Sequence, residues 1–435
     1  MSLQSASRAI FGRRLPNLNI ADHWGLGLRL MTVSAPLGML VGVAVACYDY
    51  VVNTLIWENL SEHLSPSLLC LMPVVAMMLT WGIISVGHVV YTSMADEVVR
   101  AYHSPKQGLD YRRAGAKLAA SVATMGFGGS AGMEGASKWL GAVIGGAAQG
   151  AINRVDRLRP FHAKQEVTML AGAAAGIGAI FRAPLTGAIM GVESPYKHDL
   201  AHEALLHGLV ASATSFFTFT AIGSATPYFP IKVTYLLNWR DLLVCVPLGL
   251  TAGLASHVFL GLLSRIKSLV KNSRSPAFLN YLVGGMILSA LAGITYWMVG
   301  EPVTLQAGLP VARRLLYGNY PLLVCLIIFV TKLVATAVTF GCGGVGGLFV
   351  PSATIGAALG AVFDIIFPTS QPGLFTMVGV AAFTGASYNS LMFAAVFVAE
   401  ATGSPAMIVP GLIASCVAFV TSAGVSNSSH QKIHR

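Results

Sequence analysis

Charged side chains are scarce in this chain, and their scarcity excludes a water-soluble protein. Only 10% of the 435 residues are Asp, Glu, Lys or Arg, 55% are hydrophobic, and the mean hydropathy is +0.69. Apolar runs of roughly the 20 residues that cross a bilayer recur along the whole sequence. The clearest runs are Leu28–Leu55, Leu68–Val90, Leu206–Ile222, Leu242–Leu263, Tyr281–Val299, Leu322–Phe340 and Met407–Val420. We therefore predict an all-α polytopic membrane protein.

Signatures of catalysis and of metal binding are also missing. The six cysteines stand singly in apolar runs without CxxC spacing, which argues against a disulfide framework or a zinc cluster. His202 and Glu203 suggest a zinc protease, but the next histidine, His207, is five residues on and lies off the face that H-E-x-x-H needs. His198 shares a face with His202, yet no third ligand is apparent. We predict no enzyme, no metal and no cofactor.

Acidic residues are fewer than basic ones, 17 against 27, and the excess positive charge has a simple explanation. Basic residues gather near both termini and in the loops Arg100–Lys117 and Arg154–Lys164, and such loops lie on the cytoplasmic side of a membrane. The net charge of +10 therefore gives no case for nucleic-acid binding. No cleavable signal peptide is evident. We predict a multi-pass protein of the cell (inner) membrane, with cytoplasmic segments 1–24 and 426–435 around a membrane domain over 25–425.

Several apolar runs are short or are interrupted by glycine and proline, among them Val143–Ile152 and Ile355–Ile366. A simple bundle would have uniform spans, whereas transporters line a central site with the ends of broken helices. The most pronounced break is Gly126–Gly145, where a run of glycines precedes Glu134. A carboxylate at membrane depth costs about 2.5–3.5 kcal/mol, so Glu134 predicts a functional site. The alternative is a packing stretch whose glutamate turns toward water.

A glycine-rich loop that opens a helix aims free N–H groups at whatever lies before it. Such a place can bind an anion, and an ionised glutamate can itself act as that anion. The sequence repeats the arrangement, because Gly341–Gly360 matches Gly126–Gly145 at eight of twenty positions without gaps. A second pair, Gly172–Glu193 and Gly379–Glu400, matches at seven of twenty-two positions. Two pairs in the same order and at nearly equal offsets predict two related halves, about 25–224 and 240–425, joined near Ala225–Trp239.

Transporters built from inverted repeats bind their substrate where the halves meet. The alignment sets Glu134 opposite Phe349, so two glycine loops would approach one point from either side. Backbone N–H groups of Leu348 and Phe349 would face those of Met133 and Gly135. The glycines predicted to permit this approach are Gly128, Gly129, Gly132, Gly343, Gly344, Gly346 and Gly347. A monovalent anion such as chloride suits partial helix-end charges, which hold it without trapping it.

Two further polar features are open to more than one interpretation. Thr92 and Ser93 end an apolar run, and their hydroxyls could cap the following helix or face a ligand; capping is the interpretation that the residues favour. Glu193 closes the segment that contains Pro184, and it could lie within the membrane or mark the interface.

Taken together, the motifs resemble the CLC family of chloride channels and proton-coupled chloride antiporters over about residues 25–425. GMEGA at 132–136 is similar to the family's GxEGP motif, GGLFVP at 346–351 to GxFxP, and YTSMAD at 91–96 weakly to GSGIP. The resemblance implies a homodimer, a gating role for Glu134 and an anion-binding role for Ser93. It would place the inner proton-transfer glutamate at Ser194 and the central tyrosine near Asn427, where this chain has other residues.

We therefore expect transport of chloride or a similar monovalent anion, and we favour exchange for protons. A passive chloride channel is the alternative. Because Ser194 cannot relay a proton, Glu193 or a water chain is the expected path. A cation transporter using the carboxylates of Glu134, Glu193 and Glu400 is a distant alternative, since helix N-termini repel cations.

Overall fold

The computed structural model describes residues 25, 27–105, 107–197, 199–223, 227–229, 238–369 and 371–433. Within these ranges the chain forms two successive sets of eight helices. The first set is α1 (Gly27–His63), α2 (Pro66–Val86), α3 (Met94–His103), α4 (Ala114–Gly126), α5 (Glu134–Ile152), α6 (Gln165–Phe181), α7 (Pro184–Glu193) and α8 (His202–Ile222). The second set is α9 (Trp239–Asn272), α10 (Ala277–Val299), α11 (Leu309–Leu316), α12 (Leu322–Gly341), α13 (Phe349–Ile366), α14 (Leu374–Tyr388), α15 (Leu391–Thr402) and α16 (Ile408–Thr421).

The helices follow the apolar pattern of the sequence. Six of the seven clearest runs coincide with helices long and apolar enough to cross a membrane. The seventh, Met407–Val420, forms the shorter helix α16 of 14 residues. The expectation that Val143–Ile152 and Ile355–Ile366 are short was wrong. The first run is the end of the 19-residue helix α5, which begins at Glu134, and the second is the end of the 18-residue helix α13, which begins at Phe349. Glycine and proline interrupt the apolar pattern over the first turns, so the runs identified in the sequence begin later than the helices do.

Backbone breaks recur at equivalent positions and confirm the predicted repeat. The chain leaves α6 at Arg182 and α14 at Asn389 with φ of 54° and 53°, and these residues are aligned in the second repeat pair. It leaves α4 and α12 through Gly128 and Gly343, where φ is 90° and 101°. Glycine tolerates such angles without steric cost, which explains why glycine stands at both places. The predicted joint at Ala225–Trp239 falls mostly outside the described residues, as does segment 1–24.

The two halves meet in opposite directions at the glycine loops. Gly132 and Gly347 form an isolated antiparallel bridge in which each N–H donates to the other's carbonyl, at 2.8 and 2.6 Å. Around it, Thr124 Oγ1 accepts the N–H of Val345 at 3.1 Å, and Thr339 Oγ1 accepts that of Ser130 at 3.2 Å. Each half therefore closes the loop of the other, which is the relation expected of inverted repeats.

Helices α6 and α14 form the centre of each half and are buried along nearly their whole length. Their small side chains allow α5 to approach α6 and α13 to approach α14 closely. A Cβ atom on Gly141 would collide with the carbonyl of Gly172, and one on Gly356 would collide with that of Gly379. Close packing of small residues is how membrane helices associate without a hydrophobic driving force between them. This core fixes the positions of the helix starts that form the site.

Candidate functional site

The carboxylate of Glu134 reaches from the first turn of α5 to the first turn of α13. Its Oε1 accepts the N–H groups of Phe349 and, at 3.1 Å, Val350. The side chain is only 2% exposed, and Oε2 has no hydrogen-bond partner among the described residues. The carboxylate thus occupies the place where a free N-terminus would bind an anion.

The donors differ by one residue from the prediction. The predicted donors are Leu348 and Phe349, whereas the N–H groups that bind the carboxylate are those of Phe349 and Val350, and Leu348 precedes the helix as its N-cap residue. The reason is that Phe349 is the first helical residue, so the free N–H groups that point along the axis are those of the first turn. Met133 holds the same N-cap position before Glu134.

The glycines around Glu134 leave room for its carboxylate. A Cβ atom on Gly132 or Gly347 would collide with the Glu134 carboxyl group, and one on Gly135 would collide with the backbone of Gly346 and Gly347. These positions accordingly tolerate no side chain while the carboxylate occupies the start of α13. A Cβ atom on Gly129 would collide with the carbonyl of Thr124, and one on Gly344 would collide with that of Thr339, each in the helix before the loop.

One cavity borders this contact, and a second lies beyond Phe349, where Tyr388 packs against the ring of Phe349. The larger cavity, of about 310 Å³, is lined by Glu134, Met133, Val350, Tyr228 and Gln306. Side chains of α1 also line it. The smaller, of about 40 Å³, is lined by Ser93, Lys138, Ser194, Tyr388 and Asn427, with other residues of α3 and the C-terminal segment.

Of the two predicted hydroxyl residues, Ser93 lines the smaller cavity and Thr92 does not. Ser93 is the N-cap residue of α3, but its side chain makes no capping hydrogen bond. The prediction that the hydroxyl caps the helix is therefore wrong, and the hydroxyl is left to face the cavity. Asp96 and Glu97 occupy the first turn of α3.

Tyr388 is a lining residue that the sequence analysis did not identify. It stands at the end of α14, and its ring centroid lies 5.7 Å from that of Phe349. Phe181, its counterpart in the repeat alignment, contacts Phe349 from the other half, at 4.8 Å. A tyrosine opposite a phenylalanine in the repeat was the signal in the sequence, because the hydroxyl is unnecessary for packing. Tyr388 and Asn427 both line the smaller cavity. The cavity therefore contains a phenol, although the sequence has no tyrosine near Asn427, where the family resemblance places one.

Glu193, the predicted proton path, caps a helix of the other half. Its carboxylate accepts the N–H groups of Met392 and Phe393 at 3.2 and 3.0 Å, at the start of α15. Reciprocally, Glu400 at the end of α15 accepts the N–H groups of Leu185 and Thr186 at 2.9 and 2.6 Å, at the start of α7. Glu193 is 9% exposed, so its side chain is buried inside the protein.

The C-terminal segment, residues 426–433, packs against the smaller cavity. Asp96 accepts hydrogen bonds from Ser428 and, at 2.9 Å, from Ser429, and His430 Nδ1 also lies 2.9 Å away. Gln431 Nε2 donates to the carbonyl of Ser194 at 3.2 Å. These contacts hold the segment, and with it Asn427, beside the start of α3.

The histidines that suggested a zinc protease lie in separate environments. His207 Nδ1 is 2.7 Å from Ser34 Oγ, and His202 is 3.4 Å from Asp199. His198 falls outside the described residues. Throughout the described part of the chain, no three His, Cys, Asp or Glu residues form a group that could hold a metal ion.

Paired helix N-termini, a buried carboxylate between them and a cavity on either side define a membrane protein built around an anion site. Residues 75–423 match the family described as voltage gated chloride channel. The chain therefore belongs to that family.

Individual relatives agree with this assignment. A putative chloride channel protein, ClcB-like, of Ralstonia nicotianae is 27% identical over 326 residues, 72% of each chain. The H(+)/Cl(−) exchange transporter ClcA of Salmonella typhimurium is 28% identical over 308 residues, 68% of this chain and 63% of that transporter. Among solved structures, a CLC-type fluoride/proton antiporter superposes with a TM-score of 0.78 at 21% identity, covering 97% of this chain and 100% of that one. That likeness establishes the fold.

Proposed function

We propose that this protein exchanges chloride, or a similar monovalent anion, for protons across the membrane, with Glu134 as the gate that accepts the proton. The observation that carries the proposal is the Glu134 carboxylate on the N–H groups of Phe349 and Val350. A negatively charged group already binds there, so an anion can compete for the same donors. The named exchange activity of the Salmonella relative supports the proton partner.

Protonation would open this gate for a simple electrostatic reason. An ionised carboxylate makes charge-assisted hydrogen bonds, roughly twice as strong as neutral ones, and gains further from the helix dipole. A neutral carboxylic acid loses both advantages and leaves the N–H groups free for the anion. Gate opening and proton uptake by Glu134 are then one event, as exchange requires.

Ser93, Tyr388 and Asn427 would bind the anion on the other side of the gate. Their hydroxyl and amide groups are donors without a fixed charge, and all three line the smaller cavity. Neutral donors alone hold a halide weakly enough to release it, which conduction requires. Lys138 and Asp96 line the same cavity, and their opposite charges offset each other there. Met133 and Gly135, whose N–H groups were predicted to take part, lie on the Glu134 side of the same site.

The smaller cavity would face the cytoplasm. The segment Arg100–Lys117 contacts Pro195 through His103, whose Nε2 lies 2.6 Å from the Pro195 carbonyl, and Lys432 of the C-terminal segment donates its N–H to the same carbonyl at 3.3 Å. Gln165, directly after Arg154–Lys164, donates to Tyr111 of the first loop at 3.3 Å. Both basic loops and the C-terminal segment therefore lie on one side, which supports a cytoplasmic orientation. We extend the proposal to a homodimer in the cell (inner) membrane, as the family resemblance implies.

Chloride-loaded proteoliposomes with a pH electrode outside test the exchange. We expect chloride movement to drive protons against their gradient and anion flux to rise as pH falls. Glu134→Gln should abolish proton movement and remove most of the pH dependence. Glu203→Gln, at an exposed carboxylate paired with Lys164, is the matched control and should behave like the wild type. Chloride flux without proton movement in the wild type would identify a passive channel, and sodium uptake in place of chloride would identify a cation transporter.

A further inference from the structure

Lys138 is a buried lysine on the face of α5 that also carries Glu134. It is 2% exposed, although lysine is almost never fully buried unless it is paired. Residues four apart on a helix are neighbours, with Cβ atoms about 5–6 Å apart. Glu134 lines the larger cavity and Lys138 the smaller one. One helix therefore presents a titratable side chain to each side of the gate.

The ammonium group of Lys138 has a neutral partner. Its Nζ donates to Ser194 Oγ at 2.8 Å. Its position is unlike that of the buried lysine Lys117, whose Nζ lies 2.7 Å from Glu97 Oε2. In the described part of the chain, no carboxylate oxygen lies within ion-pair distance of Lys138. Asp96 lines the same cavity but does not contact the ammonium, so Lys138 can change its protonation state without breaking an ion pair.

The other titratable groups at this place are already engaged. Asp96 on α3 accepts hydrogen bonds from Ser428 and Ser429, and His430 on the C-terminal segment lies against the same carboxylate. Glu193, next to Ser194 in the chain, caps α15. Tyr388 also lines the cavity. Its phenol ordinarily ionises near pH 10, so it is a poor proton carrier at neutral pH.

The fold itself does not require a lysine at this position. In the repeat alignment Lys138 corresponds to Ala353 on α13, which is buried at the equivalent turn. An alanine satisfies the packing there, so the long charged side chain of Lys138 serves something other than helix association.

We propose that Lys138 passes protons between the smaller cavity and Glu134, an inference that rests on the exchange proposed above. The Lys138 ammonium gives a proton to the Glu134 carboxylate, which leaves a neutral amine and a neutral carboxylic acid. The amine then takes up a proton from the aqueous solution at the smaller cavity. A space of about 40 Å³ has room for roughly two or three waters that could bridge this path.

Two substitutions separate a proton carrier from a fixed charge. Lys138→Met removes the charge at nearly constant length. Lys138→Arg keeps the charge, but a guanidinium cannot release its proton in a protein. Lys164→Met, at an exposed lysine, is the control. Proton and chloride movements are recorded together in proteoliposomes, after size-exclusion chromatography has shown that each variant elutes like the wild type.

We expect the ratio of protons to chloride to fall at least tenfold in both Lys138 variants and to stay at the wild-type value in Lys164→Met. A wild-type ratio in Lys138→Arg would mean that the lysine acts only as a positive charge, and it would overturn the inference. A wild-type ratio in Lys138→Met would overturn it too. Chloride movement without protons in the wild type itself would instead refute the exchange, and this inference with it.

Discussion

The reciprocal caps of Glu193 and Glu400 permit a prediction that uses the repeat as its own control. Glu193→Gln leaves one acceptor oxygen for the two N–H groups of Met392 and Phe393. A lost hydrogen bond to a charged group costs about 1.5–3 kcal/mol, and loss of the charge at a helix start costs about 0.3–1 kcal/mol more. We expect about 2–4 kcal/mol in total. Glu400→Gln should cost a similar amount, because its additional bond from Thr186 Oγ1 offsets its greater exposure.

The assay is thermal unfolding in detergent combined with the proton-to-chloride ratio in proteoliposomes. Unfolding entropies of about 2.1 cal/mol/K per residue convert 1 kcal/mol into roughly 1 °C for a chain of 435 residues. Both variants should therefore melt about 2–4 °C below the wild type, while both keep the wild-type ratio. An unchanged melting midpoint would refute the capping role. A ratio lost in Glu193→Gln and kept in Glu400→Gln would return Glu193 to the proton path.

Two further predictions concern the anion site. Gly132→Ala sets a methyl group against the Glu134 carboxylate alone, so it should weaken the closed gate and remove most of the rise in anion flux with falling pH; Gly411→Ala, where a Cβ has ordinary contacts from 3.6 Å, is the control, and a wild-type pH dependence in Gly132→Ala would show that the carboxylate does not need this space. Ser93→Ala should weaken chloride binding, measured by calorimetry, by about 1 kcal/mol, which is the contribution of one hydrogen bond. Thr92→Ala should weaken it less. The reverse order would show that Thr92, and not Ser93, binds the anion.

Much of the fold could be predicted because it depends on patterns within single segments. Apolar runs of membrane length gave the spans, and repeated glycine loops gave the two halves and the pairing of Glu134 with Phe349. The N–H donors were predicted to within one residue, since Val350 replaces Leu348. That last residue depends on where helix α13 begins relative to α5, and no local pattern determines the relative placement of two helices.

The smaller cavity was harder to predict because it is assembled from distant segments. Tyr388 comes from the second half, Asn427 from the C-terminal segment, and Ser93 and Lys138 from the first half. A lysine within a helical segment is typical of an exposed face, so nothing in the sequence near Lys138 indicates burial. Tertiary packing decided its environment.

The repeat offers a way to separate structural from functional carboxylates. Glu193 and Glu400 are equivalent in the two halves and perform the same task, each capping the first turn of the other's helix. A residue that both halves keep serves the scaffold that both halves share. A group that acts on a substrate is not needed by the scaffold, so the fold does not require it in both halves.

Glu134 departs from this symmetry, and so does Lys138. Glu134 corresponds to Phe349 and Lys138 to Ala353, so in the first two turns of these helices the titratable side chains stand only on α5, whereas Asp364, near the other end of α13, accepts the N–H groups of Phe375 and Thr376. The backbone around them remains symmetric, since Gly132 and Gly347 exchange hydrogen bonds. Both halves therefore supply helix starts that can bind an anion, whereas one half alone supplies groups that can bind a proton. A symmetric anion site with protonation on one side is what coupling two different ions through one gate requires.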